Sequence, residues 1–257
     1  MGLQQYNVES VERLGDYAVI TAEGRVEPSQ PGQFYMLRGD WGSDPLLARP
    51  ISVLDEEPSR GVLRFLLKVV GRGTRLLAEM EIGDTLSCLG PLGTPFPNPE
   101  AGSTPVLVGG GVGVPPLFHL ARALTKKGET PVFIEGARSS SDLLLLDAFE
   151  DLGITPVVTT EDGSFGGRGL ATKPLKDTIA ASGEKVTVYA CGPDGMLRAV
   201  ASLCVGVPCY LSLEARMGCG YGVCLGCVVP VKRNGKRSYL RVCREGPVFR
   251  AEEVLWE

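Results

Sequence analysis

Over residues 1–98, hydrophobic and polar positions alternate in short runs separated by glycine, proline and aspartate. Short runs bounded by turn-forming residues are typical of β-strands. No amphipathic helix interrupts them, apart from one helical turn at "TRLLAEM". The pattern therefore predicts a small antiparallel barrel. Its predicted strands are "YAVITAEG", "GQFYMLRG", "RPISVLDEE", "GVLRFLLKVVG" and "DTLSCLGPLG".

The pattern changes after "PLGTPFPNPEAGSTP", a segment rich in proline and glycine that marks a domain boundary. Between residues 99 and 212, strand patterns alternate with helical ones, as in "PVLVGGG" followed by "PPLFHLARALTKKG". The latter places Leu117 and Leu124 on one helical face. A second helix is expected from "SDLLLLDAFEDLG", with Ser141 or Asp142 as its N-cap. The alternation predicts a parallel sheet wrapped by helices.

Residues 213–257 lose this alternation and are rich in glycine and cysteine. Within them, "VVPVKR" and "SYLRVC" predict a hairpin that turns at Asn234 and Gly235, a dipeptide favoured in tight hairpin turns. The predicted fold class is therefore multidomain β plus α/β. An antiparallel barrel is followed by a parallel-sheet nucleotide-binding domain and then by a small cysteine-containing module.

The composition supports a globular core, since 44% of residues are hydrophobic and 22% are charged. The net charge of −4 argues against a nucleic-acid partner, which needs a basic face. No apolar run is long enough to cross a bilayer, and the first residues lack the apolar core of a signal peptide. We therefore expect a cytoplasmic protein without membrane insertion. In that compartment, clustered cysteines hold metal more often than they form disulfides.

Three of the eight cysteines, Cys219, Cys224 and Cys227, have the spacing C-x4-C-x2-C, and Cys243 follows later. This spacing with a distant fourth cysteine is the plant-type [2Fe–2S] arrangement. Four glycines in the same loop would let it wrap a cluster without Cβ clashes. A zinc site more usually has two separated C-x2-C pairs, or histidines. Four buried or disulfide-bonded cysteines are the alternative, and we rank it below the cluster.

The other cysteines stand in different surroundings. Cys88, Cys204 and Cys209 lie among apolar residues and are expected to be small core residues. Cys191 ends a predicted strand in "YACGPDGM", where a packing or positioning role is expected rather than a nucleophilic one. Glu214 directly precedes the cysteine loop, and two roles are open for it: a proton or ribose partner, or a capping acid.

A glycine-rich turn, "LVGGGVGVPPL", lies between a predicted strand and a predicted helix. Gly109–Gly111 and Gly113 would let a pyrophosphate approach the backbone at the helix N-terminus. The turn departs from the usual G-x-G-x-x-G fingerprint, because a proline stands near its end instead of the last glycine. A tight β–α turn without a ligand is the alternative. The "CGP" at the end of a later strand favours the nucleotide site.

The barrel half carries a second set of candidate binding residues. "RPIS" at 49–52 offers a fixed cation and a hydroxyl, and "LLKVVGRGT" at 66–74 offers an extended strand and a two-glycine turn. The set suits a flavin dinucleotide, with Arg49 on a phosphate and the strand backbone at the edge of the ring. Taken alone, "RPIS" is also compatible with a surface arginine.

The order "RPIS", "GRGT", "GGGVGVPP" and "CGP" resembles the ferredoxin reductase superfamily, in which a flavin-binding barrel precedes a nicotinamide-binding α/β domain. "SLEARMGCGYGVCLGCVVP" with the later "RVCREGPVF" is similar to the electron-transfer subunit of type B dihydroorotate dehydrogenase. The resemblance covers the full length, and the cysteine module is its most specific part. The fold implied is therefore ferredoxin-reductase-like, with an appended [2Fe–2S] module.

The resemblance also implies domains and site residues. The domains are an FAD-binding barrel over residues 1–98, an NAD-binding domain over 99–212 and a [2Fe–2S] module over 213–257. Ser52 would lie near the flavin N5, and Ile51 stands where plant-type reductases have an aromatic residue. The implied FAD-binding residues are Arg49, Pro50, Ile51, Ser52, Leu66, Leu67, Lys68, Gly73 and Thr74. The implied NAD-binding residues are Gly110, Gly111, Gly113, Cys191, Gly192 and Pro193. The implied cluster ligands are Cys219, Cys224, Cys227 and Cys243.

The function implied is an electron relay in pyrimidine biosynthesis. A partner catalytic subunit holding FMN would oxidise dihydroorotate to orotate, and electrons would pass through the [2Fe–2S] cluster and FAD to NAD⁺. The chain would then be an oxidoreductase subunit that is fully active only with its partner. A heterotetramer of two subunits of each kind is expected, with the cluster module at the subunit contact.

Alternatives remain at this stage. The same domains would serve a hydrogenase, a sulfide dehydrogenase or an NADH-ferredoxin:NADP transhydrogenase, and a non-enzymatic iron–sulfur sensor is a candidate of another class. The choice between NAD and NADP is also open. Arg138 and three serines in "GARSSSDL" offer contacts for a 2′-phosphate, or form a simple loop, and NAD is expected from the resemblance alone.

Overall fold

The computed structural model describes residues 2–182 and 185–256, and it begins with a closed antiparallel β-barrel. A short helix, α1 (Arg72–Ala78), lies between the last two barrel strands. The barrel strands are β1 (Gly2–Leu14), β2 (Tyr17–Glu23), β3 (Phe34–Gly39), β4 (Arg49–Glu57), β5 (Val62–Lys68) and β6 (Thr85–Leu92). Around the barrel their order is β1-β2-β5-β4-β3-β6, which confirms the predicted barrel.

Alternation along the strands decides which side chains fill the barrel. In β6, every second residue is buried, as expected for a strand with one face on a core. Ile20, Leu37 and Phe65 are fully buried and share this core. β1 was not predicted, because only Tyr6 and Val8 of its 13 residues are buried. Its backbone nevertheless pairs with both β2 and β6 and closes the barrel.

The remainder of the chain forms a seven-stranded sheet and one separate hairpin. The helices that cover the sheet are α2 (Val114–Thr125), α3 (Leu146–Asp151), α4 (Thr172–Ala181) and α5 (Asp194–Leu203). The strands are β7 (Thr104–Gly109), β8 (Val132–Ala137), β9 (Val157–Thr160), β10 (Gly167–Arg168), β11 (Val186–Cys191), β12 (Cys209–Ser212), β13 (Val228–Arg233), β14 (Lys236–Arg241) and β15 (Val248–Arg250). The sheet order is β10-β9-β8-β7-β11-β12-β15, and every pairing is parallel except that of β15 with β12.

The two faces of this sheet have separate cores. Leu107 points to the face covered by α2 and α3, where it shares a cluster with Leu117 and Phe149. Val106 points to the opposite face and shares a cluster with Leu197 of α5. The predicted parallel sheet wrapped by helices is thereby confirmed. Helix α4 was not predicted, because Leu175 is its one fully buried residue and Ile179 is only partly buried.

The second predicted helix begins later than expected. Ser140–Asp142 forms a 3-10 turn, and α3 starts only at Leu146, after Leu145 with a left-handed φ of 61°. Neither Ser141 nor Asp142 caps it, so that prediction was wrong. The Asp142 carboxylate instead accepts hydrogen bonds from Arg138. The Tyr17 hydroxyl of the barrel donates to the same carboxylate, so Asp142 is engaged in contacts other than a helix cap.

The last part of the chain forms a hairpin of its own and also adds a strand to the large sheet. β13 and β14 form the predicted hairpin, and Asn234 and Gly235 at its turn both have positive φ, 51° and 74°. β15 lies within the range predicted for the cluster module, yet it is an edge strand of the large sheet. The predicted domain bounds themselves stay a prediction. None of the helices within residues 2–182 and 185–256 has the length and hydropathy needed to cross a bilayer.

Candidate functional site

The β13–β14 hairpin brings the last two cysteines of the motif together. Cys227 immediately precedes β13, and Cys243 comes two residues after β14 ends. The Cys227 thiol donates to the Cys243 Sγ at 3.2 Å, and the Val242 N–H donates to the Cys227 carbonyl at 2.9 Å. Both side chains are buried. The hairpin register therefore decides that these two sulfurs, 16 residues apart, become neighbours.

The first two cysteines form a second pair on a more exposed loop. The N–H groups of Val223 and Cys224 donate to the Cys219 Sγ at 3.3 and 3.4 Å. Partial burial acts to raise the pKa of Cys219, but backbone hydrogen bonds from Cys224, Tyr221 and Val223 lower it to about 6. The loop is thus built to stabilise a thiolate at this position, which is the form that binds metal.

The arrangement of these thiols fits a binuclear cluster. Among the described residues, no three cysteine, histidine or acidic side chains converge as ligands of a single metal ion would. The four sulfurs instead form two pairs, and a [2Fe–2S] cluster needs two thiolates on each of two irons. All four cysteines are free of disulfide bonds. The two sulfur pairs therefore fit the two irons of such a cluster.

Glycines in the loop make room for its neighbours. An added Cβ at Gly218 or Gly226 would lie 3.4 or 3.5 Å from the Cys224 Sγ. Gly220 has a φ of 77°, and a Cβ there would overlap the Met36 side chain of barrel strand β3. The cysteine loop therefore packs directly on the barrel. Met36 is paired with Pro50 of β4, so the loop lies beside the strand predicted to bind FAD.

An ion pair that the sequence analysis missed ties this loop to the hairpin. Arg241 donates to both Glu245, through Nε at 2.9 Å, and the Gly222 carbonyl, through Nη1 at 2.6 Å. Hydrogen bonding from Arg241 lowers the pKa of Glu245 to about 2. The Gly222 carbonyl is therefore held in place by a charged donor. The Arg241–Glu245 pair has i,i+4 spacing, but the contact with Gly222 joins two separate segments, and no spacing in the sequence signals it.

The predicted FAD-binding residues lie along β4, β5 and α1. The Arg49 guanidinium lies against Gly73, where any Cβ would overlap it, so these two predicted residues are in contact. The Thr74 hydroxyl accepts hydrogen bonds from the N–H groups of Val70 and Gly71, at 3.0 and 3.1 Å. This hydroxyl shapes the two-glycine turn. The geometry thus offers a cation beside a turn that closely approaching phosphate groups could use.

The rest of that set divides into backbone and side-chain roles. Leu66 and Leu67 are buried, so they can meet a flavin only through their backbone, as the resemblance implies. Lys68 ends β5 and lies 5.0 Å from the centre of the Tyr17 ring. Pro50, Ile51 and Ser52 are half-buried on β4, opposite β3. These residues keep an accessible edge on the barrel, which a flat ring needs.

A cavity of about 660 Å³ opens between the barrel and the carboxyl ends of the large sheet. Gly110, Gly111, Gly192 and Pro193 line it, as expected for an NAD site at strand ends. Gly113 and Cys191 do not line it, although they were predicted with the others. An added Cβ at Gly113 would overlap the carbonyl of Cys191, so these residues pack against each other beneath the turn.

Cys191 is a buried packing residue. Its side chain is 3% exposed, and burial, with the nearby Glu214 charge, raises the pKa of its thiol. Its carbonyl accepts the Gly110 N–H at 3.2 Å, which fixes the glycine turn on the adjacent strand. A protonated, enclosed thiol is a poor nucleophile. The positioning role expected from the sequence is in keeping with this geometry.

Lys68 was predicted to bind FAD, and in the structure it also lines a charged wall of the cavity that the sequence analysis did not predict. Tyr17 and Lys68 come from the barrel, and Asp142 comes from the loop after β8. The Tyr17 hydroxyl donates to the Asp142 Oδ1 at 3.4 Å, and the Lys68 Nζ lies 3.7 Å from the same oxygen. An added Cβ at Gly111 would lie 3.9 Å from the Tyr17 hydroxyl. This group of three side chains therefore joins the barrel to the glycine turn.

Glu214 occupies the opposite part of the cavity. Burial raises its pKa, and the Asp194 carboxylate acts in the same direction. No helix begins at Glu214, so its capping role is not seen. Of the two roles left open by the sequence, a partner for a proton or a ribose agrees with its position.

Comparison with known proteins narrows the interpretation. Residues 214–255 match the iron-sulfur cluster binding domain of dihydroorotate dehydrogenase B, and residues 107–202 match an oxidoreductase NAD-binding domain. A Bacillus caldolyticus protein named dihydroorotate dehydrogenase B (NAD(+)), electron transfer subunit, is 44% identical over 92% of this chain and 91% of its own length. The chain belongs to this electron transfer subunit family. A relative of the same name from Shouchella clausii is 38% identical over 96% of each chain.

Solved structures with the same fold include other reductases. A chain of the NADH-dependent reduced ferredoxin-NADP oxidoreductase superposes with a TM-score of 0.85 at 30% identity, covering 98% of this chain and 90% of its own. The ferredoxin reductase of carbazole 1,9a-dioxygenase superposes with a TM-score of 0.69 at 23% identity, covering 80% of this chain and 66% of its own, which shows the fold alone.

These findings confirm the predicted family, the ferredoxin-reductase-like fold class and the class of NAD-linked oxidoreductase subunit. The cofactor set of FAD, [2Fe–2S] cluster and NAD agrees with them. The hydrogenase, sulfide dehydrogenase and transhydrogenase alternatives are not favoured, since the relatives that share most of this chain carry the dihydroorotate dehydrogenase B name. The individual site residues remain predictions that the family does not test.

Proposed function

We propose that this chain carries electrons to NAD⁺ from a catalytic subunit that holds FMN and oxidises dihydroorotate. The reaction would be one step of cytoplasmic pyrimidine synthesis. One observation carries the proposal. The cysteine loop packs on barrel strand β3 at Met36, the paired strand β4 carries the predicted flavin residues, and the cavity opens beside β5 at Lys68. The three predicted cofactor sites thus follow one another through the barrel.

When bound, the cluster carries single electrons, and FAD exchanges a hydride with the nicotinamide. The protein's part is to hold and orient. The cysteine pairs Cys219–Cys224 and Cys227–Cys243 would each hold one iron, and backbone N–H donors stabilise the Cys219 thiolate. The Arg49 guanidinium would bind a phosphate of FAD, which the missing Cβ of Gly73 allows.

In the cavity, the chain's residues would align the nicotinamide with the flavin. Gly110, Gly111 and Gly192 leave the backbone open at strand ends, where a dinucleotide binds in folds of this kind. The hydrogen-bonded side chains of Tyr17, Lys68 and Asp142 close the cavity on the side towards the barrel. This arrangement would exclude water where the two rings meet and would fix the distance for hydride transfer.

The surface around the cysteine loop supports docking of the catalytic subunit there. Tyr221, Val223 and Leu225 are apolar, yet they are 45%, 69% and 60% exposed. Neighbouring exposed apolar side chains are typical of protein contact sites. The same loop carries Cys219 and Cys224, so a partner bound here would come close to the cluster. We expect two copies of each subunit in the assembly.

The test is co-purification with a dihydroorotate-oxidising subunit and an assay of dihydroorotate-dependent NAD⁺ reduction. Activity that needs both chains, with flavin and [2Fe–2S] absorption in this one, is the expected result. The double variant Val223→Asp with Leu225→Asp should lose co-purification while keeping its cofactors. Val205→Asp is the matched control, because Val205 is 85% exposed on the α5–β12 loop.

Two outcomes would overturn parts of this proposal. Cofactors without dihydroorotate-dependent activity would point to another electron donor, as in the structurally similar NADH-dependent reduced ferredoxin-NADP oxidoreductase. Anaerobically prepared protein that holds no cluster would contradict the assignment of the four cysteines.

A further inference from the structure

A second cavity, of about 290 Å³, lies where the loop of residues 205–208 joins α5 to β12, next to the edge strand β15. It has no lining residue in common with the nucleotide cavity. Two of the residues that line it are cysteines, Cys204 and Cys209. The proposed electron relay uses neither of them.

The fold brings these two thiols together. Cys204 directly follows the last residue of α5, and its N–H donates to the Val200 carbonyl at 3.0 Å. Its own carbonyl accepts the Val207 N–H at 3.0 Å, so the chain turns back at once. Cys209 then begins β12 and pairs with Val188 in the sheet. The two cysteine side chains are thereby in hydrogen-bonding contact with each other.

The two thiols differ in acidity. The hydrogen bond from Cys209 lowers the pKa of the Cys204 thiol, although burial acts in the opposite direction. The same hydrogen bond, together with burial, raises the pKa of the Cys209 thiol. A thiolate, and not a thiol, is the form that attacks. Cys204 is therefore the better nucleophile of the pair, and Cys209 is its protonated neighbour.

The cavity gives small molecules access to both thiols, although the side chains are only 5% and 6% exposed. A water molecule needs about 10–15 Å³ of such space, so a molecule as small as hydrogen peroxide fits. Arg250 and Glu252 also line the cavity, and they form an ion pair with 3.0 Å between Nε and Oε1. The loop between the thiols is loosely packed, because Val205 is 85% exposed and nothing lies within 4 Å of an added Cβ at Gly206.

The other two cysteines outside the motif lack these features. Cys88 and Cys191 line neither of the two cavities, and burial raises the pKa of both thiols. Redox-active cysteines typically combine a thiol of low pKa, access for small molecules and a neighbouring cysteine that resolves the oxidised form. Among these four described cysteines, only Cys204 with Cys209 combines them.

We propose that Cys204 and Cys209 form a redox site that reduces hydrogen peroxide and is itself oxidised to a reversible disulfide. The Cys204 thiolate attacks one peroxide oxygen and the O–O bond breaks. Cys204 becomes a sulfenic acid, and the hydroxide that leaves takes up the proton that the Cys204 thiol had released.

The second step closes the disulfide. The Cys209 sulfur attacks the Cys204 sulfur, the S–O bond breaks, and hydroxide leaves as water with the Cys209 proton. Two thiols and one hydrogen peroxide thus give one disulfide and two waters. A dithiol such as dithiothreitol restores both thiols by exchange.

Trypsin isolates both thiols in one peptide. It cuts after Arg198 and Arg216, and Cys204 and Cys209 are the only cysteines in the peptide 199–216. The full chain with its FAD and cluster would be treated with one equivalent of hydrogen peroxide, alkylated with iodoacetamide and digested. We expect the peptide to escape labelling at both cysteines and to be two hydrogen atoms lighter than the reduced form. Dithiothreitol should restore both labels.

The internal control is Cys191, which lies alone in the tryptic peptide 186–198 and should keep its label throughout. Two variants then separate the roles of the thiols. In Cys209→Ser the sulfenic acid has no thiol partner, so dimedone, a reagent for sulfenic acids, should label Cys204. In Cys204→Ser, labelling of Cys209 should be at least about tenfold slower, because its thiol stays protonated.

Three outcomes would overturn the proposal. The first is a peptide 199–216 that keeps both labels after peroxide treatment. The second is equal oxidation of Cys191, which would show unselective attack on an opened chain. The third is equal dimedone labelling of the two serine variants, which would show that the thiols have no distinct roles. The measurement needs no partner subunit, NADH or dihydroorotate, so any of these results would leave the proposed function standing.

Discussion

The cysteine loop and the nucleotide cavity are built in opposite ways. Three of the loop's four cysteines lie within nine residues, and one hairpin adds the fourth, Cys243. The cavity wall instead combines residues as distant as Tyr17 and Glu214, from both the barrel and the sheet. A site formed by one segment leaves a spacing that can be read. A site formed by many segments leaves only weak local signals, and its charges appear when the fold is known.

The largest expected effect concerns the local site. Cys243→Ser should remove the cluster, because one iron would lose a ligand from its thiol pair. Iron content and [2Fe–2S] absorption should fall by more than about tenfold, since even changes beyond the direct ligands cost that much. Dihydroorotate-dependent NAD⁺ reduction should be lost with them.

Cys204→Ala is the control for this variant, because Cys204 is a buried cysteine outside the motif. It should keep the cluster. A Cys243→Ser protein that retained a [2Fe–2S] spectrum would show that Cys243 is not a cluster ligand. The comparison of the cysteine site with the nucleotide cavity would then not hold.

The next effect concerns the packing of Gly113 against Cys191 beneath the cavity. Gly113→Ala would force a methyl group onto the Cys191 carbonyl, and the backbone must shift to admit it. We expect the free energy of unfolding to fall by about 3 kcal/mol, measured by urea denaturation. Gly195→Ala is the matched control, since nothing lies within 4 Å of an added Cβ there. Equal stability of the two variants would show that the backbone around Gly113 and Cys191 admits a methyl group without cost.

A smaller effect concerns the loop that carries the charged wall. Glu135 is fully buried on β8, and its Oε1 accepts the Leu144 N–H at 2.8 Å. Burial raises the pKa of Glu135 to about 8, while its Oε2 has no partner within the described residues. The folded state therefore holds this proton above the pH at which the unfolded chain releases it. Its contribution to stability is present at low pH and declines as pH rises from about 4.5 to about 8.

Glu135→Gln isolates this effect, because glutamine keeps the Oε1 acceptor and does not titrate. We compare the unfolding free energies of the variant and the wild type at each pH. As the pH rises from about 5 to about 7, this difference should change by about 2 kcal/mol in favour of the variant. Urea denaturation at both pH values measures it. A stability difference that does not change with pH would show that Glu135 does not titrate in this range.

The smallest expected effect tests the FAD side of the barrel. Arg49→Ala should weaken FAD binding about tenfold, since a charge-assisted contact to a phosphate is lost. Quenching of FAD fluorescence by the apoprotein measures the affinity. Arg60→Ala is the control, because Arg60 is an exposed arginine paired with Glu57 elsewhere on the barrel. Unchanged affinity in Arg49→Ala would place the FAD phosphates away from Gly73.

The order of elements was largely predictable, because hydrophobic periodicity reports burial. The exceptions have physical reasons. β1 and α4 bury too few side chains to give a periodic pattern, with Tyr6 and Val8 buried in one and Leu175 in the other. The predicted helix start at Ser141 or Asp142 failed because Asp142 bonds to Arg138 and Tyr17 instead of capping. One of these partners, Arg138, is local, and the other, Tyr17, comes from the barrel.

By itself, the sequence determined the cysteine spacing, the glycine turns and the alternation of strands and helices, and hence the family and the cofactor classes. These features depend on neighbours in the chain. Only the tertiary structure decided that Gly113 and Cys191 pack beneath the turn while Gly110 and Gly111 line the cavity. It also placed Glu161 beside the Arg138–Asp142 pair. Strand register and the contact between barrel and sheet set those distances, and neither is encoded in any single segment.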